Sequence, residues 1–445
     1  MPLRNYQIDA VNEINTHWRN GVDKVLLFAP TGSGKTVIMA HIIAQETGRV
    51  VLVVRGRELV RNASTRLGLD HDIVMAGHKY GAARLSVCSV DTMRERNEYP
   101  EADLVVIDEA HMCSNDSYRN LSWMYPHARF LSVTATPFLT ESLRHIADVI
   151  VSTCTMKELI HEGYLVPPRY FAPKVPDLSK VRVQGGEYNQ EDIEKEVLKP
   201  AIIGSVMESL RICRLPGIIF TASIRHSREI VSNSRGDIEH LDAVSPDEVR
   251  RNAISNLVSG KIKAISNVGI LTTGVDIPCL RTIIDAAPTL SLVRNIQKIG
   301  RGTRPFPGKE HFDVFDHAGN VHHHGFITDD YTPTIDGETT RPKGKALIST
   351  CKKCFAVYPA TLNVCPHCHA EQPSPIGRKM KVVDGRLVPI TEEDRRSPLE
   401  NALIMARKLE YVAQRRGIKP AWIFYQVKRK YGDKIASQVC QRTRK

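Results

Sequence analysis

The residues in this chain best suited to chemistry are Ala29-Pro30-Thr31-Gly32-Ser33-Gly34-Lys35-Thr36. They follow an apolar, β-branched run, Lys24–Ala29, and open a helical pattern from Thr36 to about Glu46. Glycines let a backbone turn so that successive N–H groups face one anion, and a helix N-terminus adds the positive end of its dipole. This strand–turn–helix setting makes a cradle for phosphate. Lys35 is expected to reach the β- and γ-phosphates of a nucleotide, and the Thr36 hydroxyl to ligate magnesium. Ala29 stands where the simplest form of the pattern has glycine.

A phosphate cradle that hydrolyses its ligand needs carboxylates nearby. Leu104–Ile107 reads as a buried strand ending in Asp108-Glu109-Ala110-His111. A carboxylate at the carboxyl end of such a strand lies beside the cradle in a parallel sheet. Asp108 would hold the magnesium, directly or through water, and Glu109 would orient and deprotonate an attacking water. A third cluster is Cys351-x2-Cys354, a ten-residue spacer and Cys365-x2-Cys368, with Pro359 and Pro366 suited to tight turns. Paired CxxC motifs in a reducing compartment predict a closed, structural zinc site. A redox-active pair is the rival reading. His367 or His369 is near enough to replace a cysteine, although four sulfurs are favoured. Such a site would present Lys352, Lys353 and His367 to a phosphate backbone. The other cysteines (Cys88, Cys113, Cys154, Cys213, Cys279 and Cys440) read as small buried apolar residues. His322-His323-His324 reads as a loop, because adjacent residues of a regular element do not converge on one ion.

Strands alternating with helical patterns must position these groups. Val50–Val54, Leu85–Val90 and Arg129–Val133 are further strand-like runs, and Arg57–Arg66 is helical in pattern. Alternation of this kind predicts a doubly wound parallel sheet over 1–165. Residues 166–189, with Val166-Pro167-Pro168, Pro173, Pro176 and Gly185-Gly186, read as a connector with one strand near Arg169–Ala172. The alternation resumes over 190–325, with strands at Gly217–Phe220, Asp237–Leu241, Lys261–Ser266 and Thr282–Asp285. A linker at 326–349, the zinc knuckle at 350–372 and a basic helical segment at 373–445 complete the expected organisation.

Of the net charge of +12, residues 376–445 carry +11, from 18 basic and 7 acidic residues. A basic tail on a neutral body predicts a polyanionic partner. In that tail Arg407, Lys408, Arg415 and Arg416 alternate with Tyr411, Trp422, Phe424 and Tyr425. The aromatics read as a small helical core, a reading compatible with stacking on bases. No run of 18 apolar residues and no signal-like N-terminal run appears, so a cytoplasmic chain with no membrane partner is expected.

Over residues 1–320 the sequence resembles the superfamily 2 helicases of the DEAD/DEAH-box type. Asp108–His111 spells their DEAH box. Arg4-Asn5-Tyr6-Gln7 looks like the adenine-recognising element. Val54–Leu59 and Val87–Thr92 look like strand-contacting motifs, and Thr134-Ala135-Thr136 like the motif coupling hydrolysis to movement. Ile218–Thr221 with Ser223 resembles the fourth motif, and Asn267–Pro278, with Gly274 and Asp276, the fifth. Gln297–Arg304 resembles the sixth. The resemblance implies two tandem RecA-like lobes, ATP and magnesium as ligands, and Gln297 at the γ-phosphate or the attacking water. It also implies Arg304 as an arginine finger with Arg301 as partner; their spacing of three lets both lie on one helical face. The strongest likeness is to RadD-like DNA repair helicases and related phage helicases, carried by Leu271–Pro278, Pro288–Pro305, the cysteines and Lys419–Gly432. It implies DNA rather than RNA as partner, with replication or repair proteins as companions and a bacterial or phage-infected cell as setting. An RNA helicase, and a nucleic-acid-binding regulator switched by ATP with little turnover, remain the alternatives.

Overall fold

The computed structural model describes residues 3–78, 81, 83–112, 120–136, 142–272, 275–330, 333–336, 348–371 and 421–443, with scattered positions between 399 and 413. It divides into two units, Met1–Arg378 and Lys379–Lys445.

The first unit begins with a seven-stranded sheet. Its strands are β1 (Lys24–Phe28), β2 (Val50–Val54), β3 (Asp72–Val74), β4 (Leu85–Ser89), β5 (Leu104–Asp108), β6 (Arg129–Thr134) and β7 (Val149–Ser152). They run parallel in the order β3-β4-β2-β5-β6-β1-β7. Successive side chains of a strand point to opposite faces. Val25, Leu27, Leu52 and Val106 join one apolar cluster, and Leu26, Val53, Val105 and Ile107 join another on the far face. Helices cover both faces, so these strands read as unbroken apolar runs rather than alternating ones.

A second sheet takes β8 (Pro168–Phe171), β11 (Gly217–Thr221), β12 (Ile238–Leu241), β13 (Ala264–Asn267), β14 (Thr282–Ala286), β15 (Phe312–Asp316), β16 (Ile348–Thr350) and β17 (Ala356–Pro359); a hairpin of β9 (Val183–Gln184) and β10 (Glu187–Tyr188) stands apart. The order is β12-β13-β11-β14-β15-β8-β17-β16, parallel as far as β8 and antiparallel beyond.

This topology departs from the expected organisation in two places. The stretch read as a connector gives the second sheet an interior strand: β8 pairs with β15 on one side and β17 on the other. Proline is tolerated there because Pro168 is the first residue of the strand. The cysteine segment does not stand apart either, since β16 and β17 extend the same sheet past β8. A third difference concerns His322-His323-His324, which lie in a helix, Asn320–His324, and not in a loop. Asp316 nucleates it: one carboxylate oxygen accepts from Ala318 N and Asn320 N, the other from Val321 N. That serves the orphan donors of a helix start. His324 is buried with Nε2 2.9 Å from Thr289 O, while His322 Nε2 lies 3.4 Å from Thr350 Oγ1, so the three rings do not converge.

Past this helix the chain returns to the first lobe. Leu143 N donates to Ile335 O at 2.7 Å, Arg144 pairs with Asp336, and Lys157 with Asp330. Of the isolated cysteines, Cys88 is buried, and Cys154, Cys213, Cys279 and Cys440 are half-buried; Cys113 lies outside the described residues.

In the second unit, helices Ala421–Tyr431 and Asp433–Thr443 share a core with Ala402, Ala406, Val427, Ala436 and Val439. Phe424 and Tyr431 pack on that core, whereas Tyr425 is 64% exposed. Arg407, Lys408, Tyr411, Arg415 and Arg416 lie outside the described residues.

Gly302, just after the helix Leu292–Gly300, tests how tightly the second lobe is packed. A Cβ on it would lie 2.2 Å from the ring of Phe312, which is wholly buried in β15. Gly302→Ala is therefore expected to lower unfolding free energy by about 1–3 kcal/mol, as overpacking does. Denaturant titration checks this, and an unchanged midpoint would contradict the packing described.

Candidate functional site

The carboxyl ends of β1, β6 and β5 meet at one edge of the first sheet. Phe28 is paired with Thr134, and Val133 with Asp108, so the three ends are level. From this edge Ala29 N donates to Thr134 O at 3.0 Å, and the loop then turns into the helix Lys35–Gln45. Gly32 and Gly34 have φ of 85° and 84°, a region costly for any side chain. Neither has room for one: a Cβ would lie 2.6 Å from Leu165 Cδ2 or 2.5 Å from Gln7 Nε2.

The first turn of the helix Asn5–Arg19 braces this loop. Tyr6 OH and Gln7 Nε2 both donate to Ser33 O, at 2.7 and 2.9 Å. Gln7 Oε1 accepts from Arg4 N, and the Arg4 guanidinium lies 3.9 Å over the ring of Tyr164. Gln7 is 3% exposed. Arg4 and Gln7 thus do not form the wall of the cleft described next; Leu3 does. Ser33 is buried beneath it, and its hydroxyl has no partner among the described residues.

That cleft, of about 670 Å³, lies between the lobes. Thr31, Gly32, Gly34, Lys35, Thr36, Asp108 and Glu109 line it from the first lobe, and Asp276, Gln297, Arg301 and Arg304 from the second. Its size is that of a small-molecule site. The lobes touch where a Cβ on Gly300 would lie 2.8 Å from Thr31 Cγ2, and the connector residue Val166 donates its N–H to Thr303 O at 2.8 Å. Gly274 lies outside the described residues.

Burial, and then the charge of Glu109, push the Asp108 carboxyl up to about 6, against the pull of the Lys35 ammonium. Glu109 has φ of 52°, a strained setting for a residue with a side chain. Its Oε2 is 3.3 Å from His111 Nδ1, which is 3.1 Å from Thr134 Oγ1. On the other edge of the imidazole, Nε2 is 3.3 Å from Gln297 Nε2. Burial lowers the His111 pKa, so the ring is neutral and one nitrogen is free to accept. His111 therefore links the acidic pair, the Thr134–Thr136 turn and the second lobe.

The helix Leu292–Gly300 carries Gln297, starting from an N-cap in which Ser291 accepts from Arg294 N. It stops at Gly300, so Arg301 and Arg304 do not share a helical face as their spacing suggested; Arg301 caps the helix and Arg304 follows it in a turn. Both still reach the cleft. Arg301 donates to the carbonyls of Thr272 and Val275 at 2.6–3.0 Å, and burial, then Arg304, lowers it to about 10. Arg304 pairs with Asp276 and is the more exposed of the two.

Three further residues of this site had no role assigned from sequence. Arg66, from the helix Arg57–Leu67, also lines the cleft. Lys298, 4% exposed, donates to both carboxylate oxygens of Asp285 at 2.6 and 2.8 Å and to Ala287 O, fixing the Gln297 helix to β14. An acid near the end of a buried strand marks Asp285 as it marks Asp108; Arg66 has no such signal.

Away from the cleft, the four sulfurs of Cys351, Cys354, Cys365 and Cys368 lie within 4.8 Å of one another. Cys351 and Cys368 are 3.6 Å apart, and Cys354 and Cys365 3.7 Å. Sulfurs around one tetrahedral zinc at the usual bond length stand about 3.8 Å apart, so the set fits such an ion. The two halves repeat one knuckle: Cys351 N donates to Ala356 O and Cys365 N to Ala370 O. The residues after each pair, Phe355 and His369, have φ of 59° and 56°. His367 packs edge-on to Phe171, 5.0 Å between centroids, and is not one of the clustered ligands.

Two family models match the chain. Residues 1–139 match "Type III restriction enzyme, res subunit", and residues 207–305 match "Helicase conserved C-terminal domain", together more than half of the sequence. The chain belongs to helicase superfamily 2. Similar sequences include a 51.5 kDa protein of a Lactococcus phage (isolate 7-9), 24% identical, with 77% of each chain covered. The putative ATP-dependent helicase IRC3 of Saccharomyces cerevisiae is 26% identical over 71% of this chain and 51% of its own. Among solved structures, the ATP-dependent Type ISP restriction-modification enzyme LlaBIII bound to DNA superposes with a TM-score of 0.55 at 16% identity, over 72% of this chain and 28% of that one. The shared fold is two tandem RecA-like lobes. The chain thus spans about half the length of its yeast relative and about a quarter of the restriction enzyme.

Asp108→Asn would remove a buried charge beside Glu109. It is expected to stop ATP turnover yet raise the thermal midpoint by about 2–4 °C near pH 7.5. Burial holds the folded pKa of Asp108 above its unfolded value. The penalty is therefore full above about pH 6 and fades as pH falls toward 4, and the gain in midpoint must fade with it. Scanning calorimetry at the two ends of this range checks the sign; a midpoint lowered near pH 7.5 would contradict it.

Proposed function

We propose that this chain is an ATP-driven DNA motor, a helicase or translocase in which hydrolysis at the interlobe cleft drives movement on the strand. The observation that carries this reading is the single cleft lined by Lys35, Asp108 and Glu109 from one lobe and by Gln297, Arg301 and Arg304 from the other. In it Lys35 and the N–H groups around Gly32–Gly34 bind the β- and γ-phosphates. Thr36 and Asp108 hold magnesium, which when bound offsets charge on the phosphate oxygens. Glu109 takes the proton of the attacking water. Arg304 leaves Asp276 to meet the charge developing on the γ-phosphoryl oxygens, while Arg301 stays tied to its carbonyls and holds the turn. Gln297 contacts the γ-phosphate or the water.

Because the two halves of the site belong to different lobes, ATP draws the lobes together and release of products lets them part, which is the basis of stepping. DNA is favoured over RNA by the matched restriction-enzyme model and by the DNA-bound restriction enzyme that shares the fold. The basic segment 376–445 supplies a second, electrostatic grip, with Tyr425 offering a face for stacking. The four cysteines hold a structural zinc. No helix among the described residues is long and apolar enough to cross a membrane, and the setting proposed is the cytoplasm of a bacterial or phage-infected cell. A regulator that binds ATP without turning it over is disfavoured, since Glu109 and both arginines reach the same cleft.

Added DNA should raise ATP turnover about tenfold or more, and RNA should do so less; equal turnover with and without any nucleic acid would refute the motor. Glu109→Gln should retain ATP binding and lose turnover by about 100-fold or more, as loss of a general base implies. Lys35→Ala should weaken nucleotide binding itself. For the metal, atomic absorption should find one zinc per chain. Because β17 pairs with β8, chelation should speed hydrogen exchange at 168–172 as well as at 351–368. A metal-free chain with unchanged exchange would refute the zinc site.

A further inference from the structure

Lys309 is 5% exposed, and no motif of the sequence includes it. It lies in the turn between the Arg304 segment and β15, its own N–H donating to Phe306 O at 2.9 Å. From there the ammonium reaches back. It donates to Arg304 O at 2.8 Å and to Pro278 O at 3.1 Å. These two carbonyls end the segments that line the second-lobe wall of the cleft: one belongs to the residue that bears the finger, the other closes the stretch that contains Asp276. Neither carbonyl is in a regular element, so each needs a donor from elsewhere when buried. We infer that Lys309 is a positioning residue for ATP hydrolysis, fixing the backbone of Arg304 against that of Pro278 so that the guanidinium swings from a set point toward the γ-phosphoryl group.

Burying an ammonium here is costly. Desolvation holds the Lys309 pKa down to about 8; Cys279 pulls it back up, and the like charges of Arg281 and Arg304 add to the lowering. The Phe312 ring lies 5.8 Å from Nζ on the inner side, and Arg281 is itself tied to Gly308 O at 2.9 Å. A methionine or leucine would fill the same space without that cost. What a lysine adds is a pair of charge-assisted bonds that couple two loops, and such bonds set geometry. Arg304 needs this support because its side chain has partners on both sides of a stroke: Asp276 in this structure and the phosphate in the reacting state.

The inference rests on the motor reading, and a double-mutant cycle separates the two. Lys309→Met, Arg304→Ala and their combination are compared for kcat and KM of ATP, with and without DNA. Each rate is normalised to protein that binds a fluorescent ADP analogue and measured well below the thermal midpoint. Lys309→Met is expected to lower kcat about tenfold or more with KM changed less than about twofold; in the Arg304→Ala background it should change kcat less than about twofold. Lys309→Arg, which keeps the donors, should recover most of the loss. A full, additive loss in the Arg304→Ala background means that Lys309 acts elsewhere and overturns the inference. An Arg304→Ala chain as fast as wild type overturns the finger and the inference together. Turnover indifferent to DNA but non-additive in the cycle would sink the motor and leave Lys309 in its role, since basal hydrolysis carries the same comparison. If Lys309→Met yields no folded chain, Lys309→Gln, too short to span both carbonyls, enters the cycle with the same expected outcomes.

Discussion

The close approach of the two lobes at Thr31 and Gly300 governs the chemistry available to this molecule. A triphosphate carries more charge than one loop can neutralise, and cations that serve it from two sides must come within a few ångströms of each other. Only a residue without a side chain lets the Gln297 helix end against Thr31, and Gly302 and Gly32 keep the surrounding backbone equally bare. The approach of the arginine segment to the phosphate loop is thus limited by the Thr31 side chain against the bare Gly300 backbone.

Charge buried in the second lobe is tied to hydrogen-bond partners, with or without a counter-charge. Lys298 and Asp285 neutralise each other deep below the cleft, with Asn320 donating to the same carboxylate. Asp316 spends its oxygens on three backbone donors. Buried ionic groups of this kind contribute little net stability, because desolvation offsets their attraction. They do fix direction. Here the Lys298–Asp285 pair aims the helix that carries Gln297, and Asp316 aims the helix of the three histidines.

Much of this was legible in the sequence. The strands leading to the phosphate loop and to Asp108 are covered on both faces, so their β-branched runs end within a residue or so of the observed strands. The cysteine pairs announced their own convergence. What was illegible depends on partners distant in the chain. A strand was readable near Arg169–Ala172, but not that β15 and β17 flank it inside the second sheet. The three histidines became helical through the Asp316 carboxylate, which lies in a strand. That the Gln7 amide also braces the phosphate loop, through Ser33 O and Arg4 N, is not marked by its residue type. A buried lysine such as Lys309 has no spacing or periodicity to mark it.

The placing of β8 inside the second sheet leaves very little chain between the lobes. Leu165 packs on the phosphate loop, and Pro168 already belongs to the other sheet. Only Val166 and Pro167 lie between that contact and β8, the first held by Thr303 and packed with Leu165 in the apolar core of the second lobe, the second with its φ locked by its ring. A joint of that length has almost no slack to pay out. The lobes can pivot about it like a door on a short stiff hinge, but they cannot slide apart, and each turn of the pivot is felt at once by the loop that grips the nucleotide.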